Sequence, residues 1–498
     1  MGTSPTRTFR SDNNGSPPSL IQRLLETPEG KTLEFKRDTT SPKGLLKTLV
    51  AFANTAGGRL VIGVAPDGSL HGINDPLSEE ERLCNLVSDS IAPRLIPNIE
   101  LVTYDNKTLL LIEVFPGNSR PHFLRADGPE TGVFVRLGST NRQADRELVA
   151  ELRRSAEGVS FDELPMPGLS RSDLNLAPLS SLLPQKKSSQ LQALQTLKLL
   201  RREQGSLVPT KGAVLLCGKE RMRFFPDAWV QCGRFRGTDK THIFDHIEID
   251  EPLPQAVESV MLFLKKHAVR SADLSSIRRK DVWSIPLGIL REVVINALVH
   301  ADYSQRGAPI RVAFFDDRIE VENPGILLPG MTVEDMRQGV SKIRNPVIAR
   351  VFRELGLIEQ WGSGVRRIFA EAESQGLPPP VITEIGIRLR FAVAFKSESP
   401  ISLHSTQSPT QLTTQLTTQS GDGFGTFLEV LRNGPKSPGQ IRSVLKLKHR
   451  ASFRQNYLRP AVESGLIEPT IPEKPTSRLQ KYRLTPKGSA ALSRVKNS

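Results

Sequence analysis

Apolar and polar positions repeat along this chain with two periods, and the switches between them mark its elements. The run Gly44 to Asn54, GLLKTLVAFAN, puts Leu45, Leu46, Leu49, Val50 and Ala53 on one stripe at helical spacing. Gly57-Gly58 ends that helix, and RLVIGV reads as a buried strand. Pro66-Asp67-Gly68 is a turn by composition, after which LHGI resumes extended structure. KTLLLIEVF and TGVFVRLGS predict two further strands, so residues 19–157 read as one mixed α/β unit. A second α/β unit spans 191–396. In it LVPTKGAVLLCG predicts a strand, and PLGILREVVINALVHA predicts a helix with Pro286 near its start and Ile289, Val293, Ala297 and Leu298 on one face. PIRVAFFDD and RIEVENPG follow as strands, VRRIFAEAES as a helix, and RLRFAVAF as a closing strand.

The intervening segments lack such periodicity. Residues 1–18 are rich in Ser, Pro, Asn and Gly, which predicts disorder. Residues 158–190, rich in Pro, Ser and Leu, read as a connector. Residues 401–420 carry no charged residue and are mostly Ser, Thr and Gln, so 397–423 reads as a tether. Beyond it, 424–498 is periodic again. FGTFLEVLRN and SPGQIRSVLK read as helices, the second with Ser437 as N-cap and Pro438 at its first position. A longer helix is expected from about Arg450, then strands LIEPTI and KYRLT around a basic turn. Helix–helix–helix–strand–strand is the winged-helix order. The expected fold class is therefore α/β and multidomain, ending in a winged helix.

Length and charge sharpen this picture. A chain of 498 residues is too long for one domain and suits about three. The net charge is 67 − 53 = +14, and residues 424–498 hold 15 Lys/Arg against 4 Asp/Glu, or +11. A small, folded, strongly basic segment predicts nucleic-acid binding. No window is apolar enough for a membrane helix, and the N-terminal residues have no secretory apolar core. Cys84, Cys217 and Cys232 are too few and too scattered for a disulfide framework or a cysteine zinc site, and fit a reducing cytoplasm.

Candidate chemistry gathers in three places. Glu292, Asn296 and His300 recur at intervals of four and so share one helix face. A carboxylate there can orient water, and an amide oxygen can hold Mg²⁺ beside phosphates. Glu322-Asn323-Pro324-Gly325 follows at a strand end, and Trp361-Gly362-Ser363-Gly364 opens a helix whose free N–H groups suit phosphate. No G-x-x-x-x-G-K-[ST] loop occurs. In the N-terminal unit, Lys36, Arg37, Arg136, Asn141 and Arg142 fall near strand ends, where they could follow a phosphate backbone. In the third C-terminal helix, Phe453, Tyr457 and Ala461 form the core stripe, and Ser452, Gln455, Asn456 and Arg459 lie opposite, suited to base edges. Lys474, Arg478 and Lys481 in the wing turn suit phosphate contact.

Residues 280–396 resemble the Bergerat-fold ATP-binding domain of the GHKL superfamily, which includes DNA gyrase B and the histidine kinases. REVVINALVHADYS, DDRIEVENPG, SKIRNPVIA and IEQWGSGVRRI, with LEFKR, AFANTAGGRLVIGV and GVFVRLGSTNRQA further upstream, are similar to a family of bacterial transcriptional regulators. Those proteins join a Schlafen-type AlbA-like domain, a GHKL-like α/β sandwich and a C-terminal helix-turn-helix. The resemblance implies that Asn296 holds Mg²⁺, that Glu292 positions water, and that Glu322 or Asn323 stands for the adenine-reading carboxylate. Gly325, Gly362 and Gly364 would meet the nucleotide. Pro324 replaces a loop glycine, which favours ATP binding over fast hydrolysis. Glu29, Glu34 and Asp67 resemble the acidic trio of Schlafen-type ribonucleases, which could hold divalent metal for phosphodiester cleavage; turn chemistry explains Asp67 equally. The expectation is a cytoplasmic DNA-binding transcriptional regulator with a nucleotide-sensing domain, the alternative a metal-dependent nuclease. DNA and nucleotide are the expected partners, without a membrane, and homo-oligomer formation is compatible with either reading.

Overall fold

Two sheets organise the first 397 residues of the chain, and a separate unit follows from 398 to 498. The computed structural model describes residues 19–273, 280–358 and 364–395, then 423–432, 434–445, 458, 461–462, 465–470 and 480–495. The expected disordered segment 1–18, the tether and most of the third C-terminal helix lie outside the described residues. Throughout the described part the chain is α/β and multidomain.

The N-terminal lobe is built on a four-stranded sheet ordered Leu33–Lys36, Gly58–Ile62, Lys107–Val114, Asn98–Tyr104. Its first pair is parallel and is joined by helix Pro42–Asn54. The stripe read from the sequence is the buried one: Leu45, Leu46, Leu49, Val50 and Ala53 pack with Leu60, Ile62, Leu110 and Ile112. Strand Asn98–Tyr104 and helix Pro76–Ser90 were not legible, because the former is mostly exposed and the latter buries only Leu83 and Val87.

The central lobe holds a six-stranded sheet ordered His242–Ile249, Val230–Arg236, Ile310–Phe314, Arg318–Pro324, Arg388–Ala394, Val381–Ile385. Only Val230–Arg236 and Ile310–Phe314 run parallel. Helix Leu287–His300 packs on this sheet and against helices Leu253–Ala268 and Gly364–Ser374. It is buried almost all round, so its apolar positions exceed the single face expected. GAVLLC corrects an expected strand, since Lys211–Cys217 is helical. Thr210 Oγ1 accepts from the Ala213 amide at 3.2 Å and starts the helix. A short run buried on every side carries no period to tell the two apart.

The supposed connector is part of this lobe. Leu174 and Leu179 lie in its core, and Asp162 is fully buried. Its Oδ2 accepts from the Val347 and Ile348 amides at 2.7 and 3.0 Å, at the start of helix Pro346–Glu354. Burial, opposed by those amides, raises the Asp162 carboxyl from 3.8 to about 7. The folded state then binds the proton more tightly than the unfolded state. Stability from this group is complete below about pH 4 and declines as pH rises towards 7. Oδ1 has no hydrogen-bond partner, so Asp162→Asn keeps the capping oxygen and removes the charge. Melting curves between pH 4 and 7 should be flatter for Asp162→Asn than for wild type.

In the second unit, helices Gly423–Val430 and Pro438–Val444 form as expected, and Ser437 with Gln440 closes a capping box. Ile467–Pro469 and Tyr482–Leu484 pair antiparallel. Helix Pro486–Val495 follows, an element absent from the expected order. Phe427, Leu431, Ile441, Ala461 and Ile467 make a small core.

Candidate functional site

A cavity of about 460 Å³ opens between helix Leu287–His300, strand Arg318–Pro324, the segment from Gly325 to Arg344 and helix Gly364–Ser374. Its wall brings together Glu292, Asn296, Asn323, Gly325 and Gly364, five of the residues singled out by sequence. Val293, Ala297, Val321, Leu389 and Phe391 make an apolar side. Lys342, Arg344, Arg353 and Arg367 contribute four cations against the single carboxylate of Glu292.

Glu292 is 5% exposed. Its Oε1 accepts from Asn296 Nδ2 at 3.0 Å and its Oε2 from Arg367 Nη2 at 2.8 Å. Asn296 therefore turns its amide nitrogen to Glu292, which leaves its carbonyl oxygen for the cavity. A Cβ on Gly364 would stand 1.9 Å from Glu292 Oε1. The missing side chain admits this carboxylate to the first turn of helix Gly364–Ser374, where negative charge is favoured. The expected phosphate position at Gly364 is thus already held by a carboxylate, and Gly362 lies outside the described residues. His300 also lines the cavity, and burial pushes its imidazole down to about 4, so it is neutral at physiological pH.

Glu322 requires correction. Alternation along the strand sends Val321 and Asn323 to the cavity and Glu322 to the opposite face, where it is absent from the lining. It pairs there with Arg390 at 2.6 Å and Lys240 at 3.6 Å. Burial opposes its charge, but these cations outweigh it and hold the carboxyl below its usual range. Asn323 alone remains of the proposed base readers, and its Nδ2 donates to the Pro324 carbonyl at 3.1 Å. At Gly325 the chain takes φ +102°, and a Cβ would lie 3.1 Å from Arg344 Cζ. Arg344 itself, 8% exposed, was not foreseen; nothing in SKIRNP distinguishes it from a surface arginine.

The acidic trio is not assembled. Glu29 Oε1 accepts the Phe35 amide at 2.9 Å and closes a local loop. Glu34 is buried in an ion pair with Arg136. Asp67 is an exposed turn residue accepting from the Ser69 amide at 2.9 Å and hydroxyl at 2.7 Å; those bonds lower its carboxyl. No group of three or more His, Cys, Asp or Glu suited to a metal occurs among the described residues. Arg136 likewise leaves the expected backbone-tracking set: it is 1% exposed and donates to Gly30 O and Asn141 Oδ1, both at 3.0 Å. Of the expected DNA contacts, Ser452, Gln455, Asn456, Arg459, Lys474 and Arg478 lie outside the described residues. Lys481 is exposed, and its amide donates to Thr470 Oγ1 at 3.3 Å. Among the described residues, no helix is long and apolar enough to cross a membrane.

Three family models match separate parts of the chain. Residues 29–145 match the Schlafen AlbA_2 model. Residues 307–395 match "Putative ATP-dependent DNA helicase recG C-terminal", an ATPase-type model. Residues 423–485 match the C-terminal domain of Fic-like proteins (filamentation induced by cAMP), where a winged helix had been expected. The second match includes Glu322 to Gly325 and Gly364 and begins after Glu292 and Asn296. No curated protein matches the chain. Among solved structures, the DIP2311 protein of Corynebacterium diphtheriae is 18% identical over 95% of this chain and 97% of its own, with a TM-score of 0.40. The N-terminal domain of a RecG-related protein from Nitrosomonas europaea is 26% identical over 24% of this chain and 91% of its own, with a TM-score of 0.20. A Fic family protein from Desulfovibrio desulfuricans is 15% identical over 69% of this chain and 77% of its own, at 0.14. The chain thus carries a Schlafen AlbA-type domain and an ATPase-like domain.

Proposed function

We propose that the chain is a DNA-binding transcriptional regulator whose central lobe senses a nucleotide, with ATP the expected ligand. The observation that carries this is the cavity: about 460 Å³, one apolar side, and a basic lining of Lys342, Arg344, Arg353 and Arg367, of which Arg344 and Arg367 are ion-paired with Glu151 and Glu292. That volume suits a small organic ligand, and the charge balance suits phosphates. The match to an ATP-dependent helicase model supports a nucleotide and a nucleic-acid context.

Asn296 fits a supporting role for Mg²⁺, since its amide nitrogen is engaged by Glu292 and its oxygen is a hard ligand. Bound Mg²⁺ would screen the phosphate charges. Both oxygens of Glu292 are engaged, by Asn296 and by Arg367, so neither is free to position an attacking water, which supports binding over hydrolysis. The scattered carboxylates of the N-terminal lobe give no support to a nuclease.

Calorimetric titration of the full chain with ATP tests the reading. Binding should strengthen with Mg²⁺, and Asn296→Ala should weaken the Mg²⁺-dependent part by about 1–3 kcal/mol, with some fall in melting temperature because the buried Glu292 carboxylate loses a hydrogen-bond donor. No binding of ATP with or without Mg²⁺ would overturn it.

A further inference from the structure

The cavity wall formed by Gly325 to Arg344 is fastened to the N-terminal lobe in four places. Ile326 lines the cavity and also packs in the cluster of Val133, Val135, Leu148 and Leu152. The Leu327 amide donates to Glu384 Oε1 at 2.8 Å, and Lys31 of the N-terminal lobe donates to the same carboxylate at 2.6 Å. The Gly330 amide donates to Thr55 O at 2.8 Å. Arg344, a lining residue, forms a buried ion pair with Glu151 of helix Arg146–Ala156.

Arg344 is the most telling of these links. Its Nη2 donates to Ile326 O, and its guanidinium lies against Gly325, where a Cβ would approach Nη2 to 3.1 Å. Its Nε is buried without a hydrogen-bond partner. Arg344 borders the cavity with its guanidinium fixed from behind by the Ile326 carbonyl and the Glu151 carboxylate. Glu151 is 9% exposed and is not part of the cavity lining, so it acts only through Arg344.

We propose that the N-terminal lobe completes the ligand cavity, with Glu151 as a positioning residue that holds Arg344 in place for an anionic group of the ligand. This rests on the reading of the cavity as a nucleotide site and adds how that site is regulated. Docking of helix Arg146–Ala156 orders Arg344 and so raises ligand affinity. By reciprocity, a ligand bound at Arg344 strengthens the docking of that helix. The cavity's occupancy is thereby communicated to the lobe that matches the Schlafen AlbA_2 model.

The test uses the full chain with ATP and Mg²⁺, and with inorganic pyrophosphate as a probe for the anionic part alone. Glu151→Ala should weaken ATP binding about tenfold, although the residue never touches the cavity, and Glu151→Asp should recover part of the loss. In wild type, ATP should slow amide hydrogen exchange across residues 146–156. Exchange is the decisive readout, because a merely structural Glu151 would lower stability without making this helix respond to ligand. It also keeps the proposal testable should Glu151→Ala fail to fold. If wild type binds ATP while residues 146–156 exchange unchanged and Glu151→Ala binds equally, the coupling is overturned and the cavity reading stands. If wild type binds neither ATP nor pyrophosphate, both fall together.

Discussion

Gly364→Ala is expected to destabilise the central lobe nearly as much as Gly364→Val, and both should abolish ligand binding. The cause is the first atom added: a Cβ would fall 1.9 Å from Glu292 Oε1 and 2.7 Å from its Cδ. That carboxylate is buried and held on one side by Asn296 and on the other by Arg367. It cannot retreat without separating an ion pair. Overpacking costs about 1–3 kcal/mol, and losing a buried partner can add about 3–5 kcal/mol. Scanning calorimetry should show the melting temperature falling by roughly 5 °C or more, at about 2–4 °C per kcal/mol for a lobe of this size. Adding Glu292→Ala to Gly364→Ala should restore much of the loss, because Arg367 is 41% exposed and can be hydrated. Equal stability of Gly364→Ala and wild type would show that the carboxylate does not sit against this helix end.

Arg136→Ala should destabilise the N-terminal lobe by about 3–5 kcal/mol, the cost of breaking a buried charge pair from one side. Arg136 joins Glu34, Gly30, Leu33 and Asn141, and its guanidinium lies 5.3 Å from the centre of the Phe52 ring. Without it Glu34 keeps only Lys36, whose side chain is 37% exposed. Urea denaturation should show the transition of this lobe at lower concentration. Asp67→Ala, at an exposed turn, should leave it within about 0.5 kcal/mol. If both variants unfold at the same urea concentration as wild type, Glu34 and Arg136 are not the buried brace described above. Measurable metal-dependent cleavage lost on Glu34→Gln alone, at unchanged stability, would return that residue to catalysis.

These two residues also show where sequence reading stopped. Glu34 and Asp67 share a residue type and a lobe, and spacing along the chain could make them partners. Folding instead delivers Arg136, over a hundred positions away, to Glu34, and leaves Asp67 in water. The cavity behaves in the same way. Glu292 and Asn296 were legible because a helix repeats every 3.6 residues, which places i and i+4 together whatever surrounds them. Asn323 against Glu322 was not decidable, since each of two adjacent strand residues faces one side and only the packed sheet says which side is the cavity.

Local periodicity, turn residues and capping patterns were sufficient for the α/β class, the main helices and strands, the basic C-terminal unit and the helix that carries Glu292 and Asn296, because those features depend on neighbours within a few positions. What the tertiary structure decided was every relation between distant segments. It placed the connector in the core through Leu174, Leu179 and Asp162, and a carboxylate where phosphate was expected at Gly364. It fastened the cavity wall to the N-terminal lobe through Arg344 and Glu151. Such contacts are chosen by which buried charges and apolar faces find complements when the whole chain packs, and no window of sequence contains that choice.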